Sequence, residues 1–381
     1  MRTAIAVGDY HVSHETMVNR HIRLLFGGDT CVIAGRLSGD NPYDKAVFER
    51  RGRYGLADSL RAPFALTANR LRYSTSRPPF GQRKRELAAF LRREKVEAVL
   101  AEFGTQVLAV APLAHEMGLP VFTFFRGTDA SKSLSRAAVV EAYRRAVPKL
   151  DGVFSVSQSL LDNLARHGIG NDNAHVLPSG VDVRLFQPGA KRPKSCVSVG
   201  RMVEKKAPLT TLRAFATAAK DHPEARLTMV GGGPLLDDAK ALAAELGVSG
   251  RVTFPGHADH EGVRRNLSEN AIFLQHSVTA EDGNTEGLPT AIQEAMACGC
   301  VIVSTRHAGI PEAVTDGETG YLVDERDEAA FADRIGRVLA EGTAQMAANA
   351  RKTAEERYDN DVLLGRLEEI MEATVRGRAN S

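Results

Sequence analysis

Glu286-Gly287-Leu288-Pro289-Thr290-Ala291-Ile292-Gln293-Glu294-Ala295-Met296-Ala297-Cys298-Gly299 sets two carboxylates eight residues apart around an apolar segment opened by proline and closed by glycine. Pro289 suits the first helical position, where its missing N–H costs nothing, and Gly299 suits the turn that ends a helix. At the start of such a helix the N–H groups near Leu288, Thr290 and Ala291 lack an intrahelical acceptor. Together with Gly287 and the helix dipole they make an anion site that fits a diphosphate. If the whole stretch were helical, the carboxylates would stand about 12 Å apart, one on each side of a diphosphate. A carboxylate accepts paired hydrogen bonds from adjacent sugar hydroxyls, so Glu294 is a candidate for gripping a ribose and Glu286 for a second sugar. By spacing alone, an amphipathic helix with two solvated glutamates is the simpler account.

Outward from this stretch, short β-rich apolar runs alternate with segments of helical spacing, the pattern of parallel sheets covered by helices on both faces. Strands are expected at Thr3–Val7, Thr30–Ala34, Ala98–Glu102, Val121–Phe125, Val153–Val156 and His175–Leu177. In the second half they are expected at Ser195–Val199, Arg226–Val230, Arg251–Phe254, Ala271–Gln275, Val301–Ser304 and Gly320–Val323. The fold class is therefore α/β with two Rossmann-like, doubly wound domains. Phe186-Gln187-Pro188-Gly189-Ala190-Lys191-Arg192-Pro193 reads as the linker, because two prolines and a glycine precede a new strand. The expected divisions are residues 1–187, 188–357 and a C-terminal helix over 358–381.

The 381 residues suffice for two such domains, and 43% apolar with 25% charged residues is the balance of an ordinary folded chain. No apolar run reaches the roughly 18 residues of a membrane helix, and the start has no secretory h-region, so a cytoplasmic location is expected. Four sparse cysteines, with Cys298-Gly299-Cys300 lacking the spacing of a zinc site, are expected to be reduced. Residues 49–95 hold thirteen Lys/Arg against four Asp/Glu, a local charge of +9 that leaves −7 on the remainder. Such a field draws an anionic acceptor or the inner face of a membrane; a solvated basic face is the equal alternative. Within it, Tyr54–Ser74 carries Leu56, Leu60, Phe64, Leu66 and Leu71 among arginines, compatible with a basic amphipathic surface segment broken at Pro63 or with packing on the N-terminal core. Nothing resembles a nucleic-acid module.

The opening stretch, glutamates and flanking residues together, resembles the E-x7-E element of retaining glycosyltransferases of family 4, which have the GT-B fold. Val199-Gly200-Arg201-Met202-Val203-Glu204-Lys205-Lys206 is similar to that family's G-R-x4-K element, with Ala207 where glycine is usual. Met229-Val230-Gly231-Gly232-Gly233-Pro234-Leu235 resembles its glycine-rich turn. Leu177-Pro178-Ser179-Gly180-Val181-Asp182, with Phe186 and Pro188, resembles its N-G-V-D-x3-F-x-P segment. The resemblance implies that Arg201 and Lys206 neutralise charge on a departing diphosphate, a task other transferases give to Mg2+. Lys205 is left a bystander, and Gly231, Gly232 and Gly233 approach the donor. Without the resemblance, surface cations and a plain chain reversal would serve.

In the first half, Val12-Ser13-His14-Glu15-Thr16-Met17 looks like the S-E-T-F loop of exopolysaccharide-building members, with His14 inserted. By that likeness His14, Glu15 and Thr16 are candidates for contacting donor phosphate or acceptor hydroxyls; capping of the next helix by Ser13 or Thr16 is the alternative. Phe125-Arg126-Gly127-Thr128-Asp129 resembles the family's H-G loop, with Arg126 in place of histidine. Arg126, Gly127 and Asp129 are thus candidates for the cleft, Arg126 holding phosphate or a donor carboxylate, unless Arg126 and Asp129 merely form a surface pair. Ser155 to Ser159 read as caps of the following helix.

The resemblance implies an active site in the cleft between the domains. It also implies transfer with retention from a UDP- or GDP-linked hexose to a saccharide or glycolipid acceptor, with no metal and no cofactor. A nicotinamide-dependent oxidoreductase is disfavoured because Val7-Gly8-Asp9-Tyr10 lacks G-x-G-x-x-G. A non-catalytic nucleotide-sugar binder would have had no need to keep Arg201, Lys206, Glu286 and Glu294.

Overall fold

The structure, a computed structural model, describes residues 1–12, 15–37, 39–52, 55–342 and 344–379. The chain divides into two compact units, Met1–Leu177 with Leu364–Ser381, and Pro178–Leu363.

Unit 1 is built on a seven-stranded sheet of β1 (Thr3–Tyr10), β2 (Thr30–Leu37), β3 (Val47–Glu49), β4 (Ala98–Glu102), β5 (Val121–Phe125), β6 (Gly152–Ser155) and β7 (Ala174–Val176), in the order β3-β2-β1-β4-β5-β6-β7. Every ladder is parallel. β4 and β5 are buried at every position, which is why they read as unbroken apolar runs rather than alternating ones. β3 is a three-residue edge strand with half-buried residues and was absent from the expected set.

Unit 2 repeats the plan with six parallel strands: β8 (Arg192–Val199), β9 (Arg226–Val230), β10 (Val252–Gly256), β11 (Asn270–Gln275), β12 (Val301–Thr305) and β13 (Gly320–Val323), ordered β10-β9-β8-β11-β12-β13. In both sheets the winding reverses beside the first strand, between β1 and β4 and between β8 and β11. Ligands of such sheets bind outside the carboxyl ends of the strands at that reversal.

The units part at Leu177/Pro178 rather than at 187/188, because Val181, Val183 and Phe186 are buried in a core cluster of unit 2. The last helix, Asn360–Ala379, belongs to unit 1 from Leu364 onward, where Asn173 Nδ2 donates to Thr374 Oγ1 at 3.1 Å and Arg378 pairs with Asp151 at 3.0 Å. The helix Leu56–Tyr73 runs on through Pro63 instead of breaking there, and Leu56, Leu60, Phe64 and Leu71 stay exposed. Ser157, at the N-cap of the helix Gln158–Arg166, makes no side-chain capping bond, and Ser155 Oγ donates to Ser157 O at 2.9 Å. Among the described residues no helix is long and apolar enough to cross a membrane.

Candidate active site

Past β8 the chain turns sharply, and that turn lies against the one past β9. Gly200 N donates to Val230 O at 3.0 Å, Met202 N to Gly232 O at 2.8 Å, and Leu235 N to Met202 O at 3.1 Å. A Cβ on Gly231 would fall 2.0 Å from Gly200 O, and one on Gly233 would fall 2.6 Å from Met202 O. Glycine is needed at both places for backbone to meet backbone. The turn leads into one 3-10 turn, Glu204–Lys206, and then Ala207 at φ 38°, ψ 57°, a left-handed conformation carried here without glycine.

That short turn aims both lysines at one carboxylate. Lys206 Nζ lies 3.3 Å and Lys205 Nζ 3.6 Å from Glu286 Oε1, ion pairs whose geometry is off the line of a hydrogen bond. Lys206 also reaches Gln275 Oε1 at the end of β11 (3.3 Å), and Lys205 donates to Thr285 O (3.1 Å). Lys205, expected to be a bystander, thus shares the carboxylate with Lys206. Burial lowers the Lys205 ammonium below its ordinary value; Glu286 opposes this, and the charges of Lys206 and Arg201 add to it. Arg201 itself is exposed, its guanidinium unpaired among the described residues. For Glu286 burial would raise the carboxyl, but Lys206 and Lys205 outweigh it and hold it below the usual carboxylate range.

Glu286 is fixed through its main chain as well. Its N–H donates to His307 Nε2 at 3.0 Å, and His307 Nδ1 lies 2.6 Å from Glu325 Oε1, an arrangement that matches the Nδ1–H tautomer. Glu325 in turn accepts from Thr279 N at 2.7 Å. His307 and Glu325 were not singled out from the sequence. The available signal was the position of Thr305, Arg306 and His307 at the carboxyl end of an apolar strand.

The helix starts at Thr290, with Pro289 one residue before it in an extended conformation (ψ 124°), and ends at Ala297. Glu286 therefore precedes the helix, and the straight-helix separation of the two glutamates does not apply. Among the described residues the N–H groups of Gly287, Leu288, Thr290 and Ala291 meet no protein acceptor, leaving a set of donors at a helix start. Glu294, half-buried on the first turns, has no side-chain partner among them either, and burial pushes its carboxyl up to about 7, with Lys206 opposing. Gln293, fully buried on the same helix, accepts from Gly180 N at 2.8 Å and so ties the Pro178–Asp182 segment to it.

In unit 1 the expected residues separate. His14 lies outside the described residues. Glu15 occupies the N-cap of the helix Thr16–Leu24 with no side-chain capping bond, and Thr16 is exposed. Burial raises the Glu15 carboxyl, with Arg126 opposing and Glu102 and Asp9 adding to it. Arg126 does not face outward: its Nε and Nη2 donate to Glu102 Oε2, the former at 3.1 Å, and the guanidinium lies 4.3 Å from the centre of the Phe124 ring. Glu102, fully buried at the end of β4, also accepts from His21 Nδ1 at 2.6 Å. Burial would raise Glu102, yet Arg126 and His21 bring it down to about 2. Nor is there a surface pair with Asp129. That carboxylate is buried and accepts the backbone N–H groups of Gly104, Arg126 and Gly127 at 2.8, 3.0 and 3.0 Å, which makes it the organiser of the Arg126-Gly127 loop. Among the described residues no group of three His, Cys, Asp or Glu side chains is arranged to hold a metal ion.

Residues 184–357 match the family described as Glycosyl transferases group 1, and residues 32–185 match Glycosyltransferase Family 4. WcaL of Escherichia coli K12, named as a colanic acid biosynthesis glycosyltransferase, is 28% identical over 289 residues, which cover 73% of this chain and 71% of that protein. The amylovoran biosynthesis glycosyltransferase AmsK of Erwinia amylovora is 29% identical over 261 residues, covering 66% of this chain and 63% of AmsK. Anabaena Alr3699/HepE, crystallised in complex with UDP-glucose, shares the fold at a TM-score of 0.76 and 16% identity, over 97% of this chain and 99% of that one. Sucrose-phosphate synthase from Thermosynechococcus elongatus does so at 0.75 and 17%, over 100% and 99%. Matched in chain order by the two families and folded as two parallel, doubly wound units, the chain belongs to glycosyltransferase family 4 and is a glycosyltransferase of the GT-B fold.

Proposed function

We propose that this glycosyltransferase moves a hexose from a UDP- or GDP-linked donor to a hydroxyl of a saccharide or lipid-linked acceptor, with retention of configuration and without a metal ion. The observation that carries the reading is the convergence of Lys205 and Lys206 on Glu286 beside a helix start whose N–H groups are unmet. A diphosphate set there meets those N–H groups and draws the lysines from Glu286, with exposed Arg201 adding a third positive charge. Glu286, released from the lysines and still held by His307 through its N–H, is free to accept hydroxyls of the sugar. Glu294, undercharged at neutral pH, suits ribose hydroxyls as donor or acceptor.

In the step, the bond between the sugar C1 and the diphosphate oxygen breaks while the acceptor oxygen bonds to C1 on the same face. The acceptor proton passes to the departing diphosphate oxygen, and the cations stabilise the charge left there. A role in polysaccharide assembly follows the names of WcaL and AmsK; placement at the inner membrane face rests on the basic stretch of residues 49–95 alone.

A thermal-shift series with UDP, GDP, ADP, their sugar conjugates and NAD, each with and without Mg2+, tests the reading, since a ligand selective for the folded state raises its stability. One nucleoside diphosphate stabilising the protein independently of Mg2+ is expected; a response to NAD alone would overturn the proposal. Slow donor hydrolysis by the wild type, lost in a folded Glu286→Ala variant, separates an enzyme from a mere binder.

A further inference from the structure

A cavity of about 570 Å3 opens in unit 1 at the carboxyl ends of β1, β2 and β3, lined by Asp9, Gly35, Arg50, Arg51, Arg77 and Gln106. It sits on the strand next to the β1/β4 reversal, the place where such a sheet offers a ligand site. Among the residues that line it, three are arginines and one, Asp9, is acidic. The backbone sets two of them: Arg50 N donates to Ala34 O at 2.7 Å and Arg51 N to Gly35 O at 3.2 Å, which seats both arginines beside the end of β2. A Cβ on Gly35 would fall 2.5 Å from Gly8 O and 3.3 Å from Arg50 Nη2, so glycine keeps the floor of the cavity flat.

Arg50 is the inner member. Its Nη2 donates to Val7 O at 3.2 Å and to Gln106 Oε1, while its Nε is buried with no acceptor. Burial first, then the charges of Arg77 and Arg51, bring its guanidinium down to about 10. Arg51 and Arg77 are exposed at the rim, and their guanidinium groups meet no acceptor among the described residues. Arg126 and Arg2 of the same unit, by contrast, are answered by Glu102 and Glu94. Three cations gathered beside a single carboxylate cost stability unless a further anion joins them. Planar forks with parallel N–H groups match phosphate oxygens two at a time.

We propose that this cavity binds a phosphate or diphosphate group carried by the acceptor. The proposal rests on the transferase reading for the word acceptor, but the anion site stands or falls by itself. Two sources share this chemistry, a phosphorylated sugar and a phosphorylated lipid. The helix that begins at Leu56, five residues after Arg51, leaves Leu56, Leu60, Phe64 and Leu71 between 75% and 89% exposed, so a lipid tail would have an apolar surface along the same segment.

The test is calorimetric titration of the full-length protein with inorganic pyrophosphate, the donor site being filled beforehand with saturating nucleoside diphosphate, comparing wild type, Arg51→Gln/Arg77→Gln and Lys206→Ala. Both arginines are exposed, and such changes seldom unfold a protein. Pyrophosphate affinity is expected to fall about tenfold or more in the double glutamine variant and to recover in part in Arg51→Lys/Arg77→Lys, where charge is kept. Nucleoside diphosphate binding should persist in the glutamine variant and be lost in Lys206→Ala, so failure of the donor site is read separately. Pyrophosphate binding that is absent in wild type, or unchanged by the arginine substitutions, overturns the proposal. Farnesyl diphosphate binding more tightly than pyrophosphate, with farnesol inert, assigns the anion to a lipid; equal binding assigns it to a soluble phosphate.

Discussion

His307 Nε2 accepts the backbone N–H of Glu286 at 3.0 Å, across 21 residues of sequence, while Glu325 holds the other ring nitrogen at 2.6 Å. The histidine thus sets where the Glu286 main chain stands, and the lysines set where its carboxylate points.

His307→Ala is expected to lower kcat/KM about 10- to 100-fold, since misplacing a reacting group by about 1 Å has that order of effect. His307→Gln, which keeps an oxygen able to accept the Glu286 N–H, should recover part of the loss. Steady-state kinetics on folded variants decides it; alanine and glutamine behaving alike would remove the positioning role.

Lys205 and Lys206 share Glu286 Oε1 at 3.6 and 3.3 Å. Lys206→Ala is expected to reduce turnover about 10^2- to 10^3-fold, the usual cost of deleting a charge-stabilising donor. Lys205→Ala should also reduce it, by about tenfold or more, through loss of the shared ion pair and of the bond to Thr285 O. Wild-type kinetics in Lys205→Ala would return that residue to the bystander role the sequence pattern implied.

Glu294, raised to about 7 by burial, binds a proton more tightly in the folded chain than in the unfolded one. Its contribution is therefore fully present below the unfolded value of about 4.3 and is lost as pH rises through about 7, by up to about 3 kcal/mol. Glu294→Gln should flatten this fall, so that denaturant midpoints of variant and wild type diverge between those pH values and run parallel above. Identical pH profiles would show that Glu294 does not titrate in that window.

Glu102 has the opposite sign. Held down to about 2 chiefly by Arg126 and His21 against burial, it stabilises the fold above the unfolded carboxylate value, and that share is lost as pH falls toward 2. Glu102→Gln leaves Arg126 with no carboxylate and is expected to cost about 3–5 kcal/mol in urea unfolding. A loss below about 1 kcal/mol would mean the cluster is more hydrated than its burial indicates.

Gly231→Ala places a Cβ 2.0 Å from Gly200 O and should push the two turns apart, raising donor KM together with a loss of stability. Ala207→Gly relieves the left-handed strain at φ 38° and should raise stability by up to about 1 kcal/mol, less the added freedom of the unfolded chain. Thermal midpoints moving the other way in either variant would refute the turn geometry.

The α/β class, twelve of the thirteen strands among the described residues and the Glu286 to Gly299 stretch were legible in the sequence, because a strand buried on both faces must be apolar throughout and because proline and glycine mark helix ends by local sterics. β3 escaped notice because three half-buried edge residues leave no pattern. What depends on residues far apart in the chain was settled only by the tertiary fold. The partner of Arg126 proved to be Glu102 rather than Asp129, Lys205 joined Lys206 on Glu286, His307 and Glu325 pinned the Glu286 backbone, and Phe186 went to the core of unit 2 rather than to a linker. The physical reason is the range of the forces. Propensity and capping act within a few residues and are written locally, whereas the pairing of buried charge and the packing of side chains are chosen by what the parallel crossovers bring to the same strand ends.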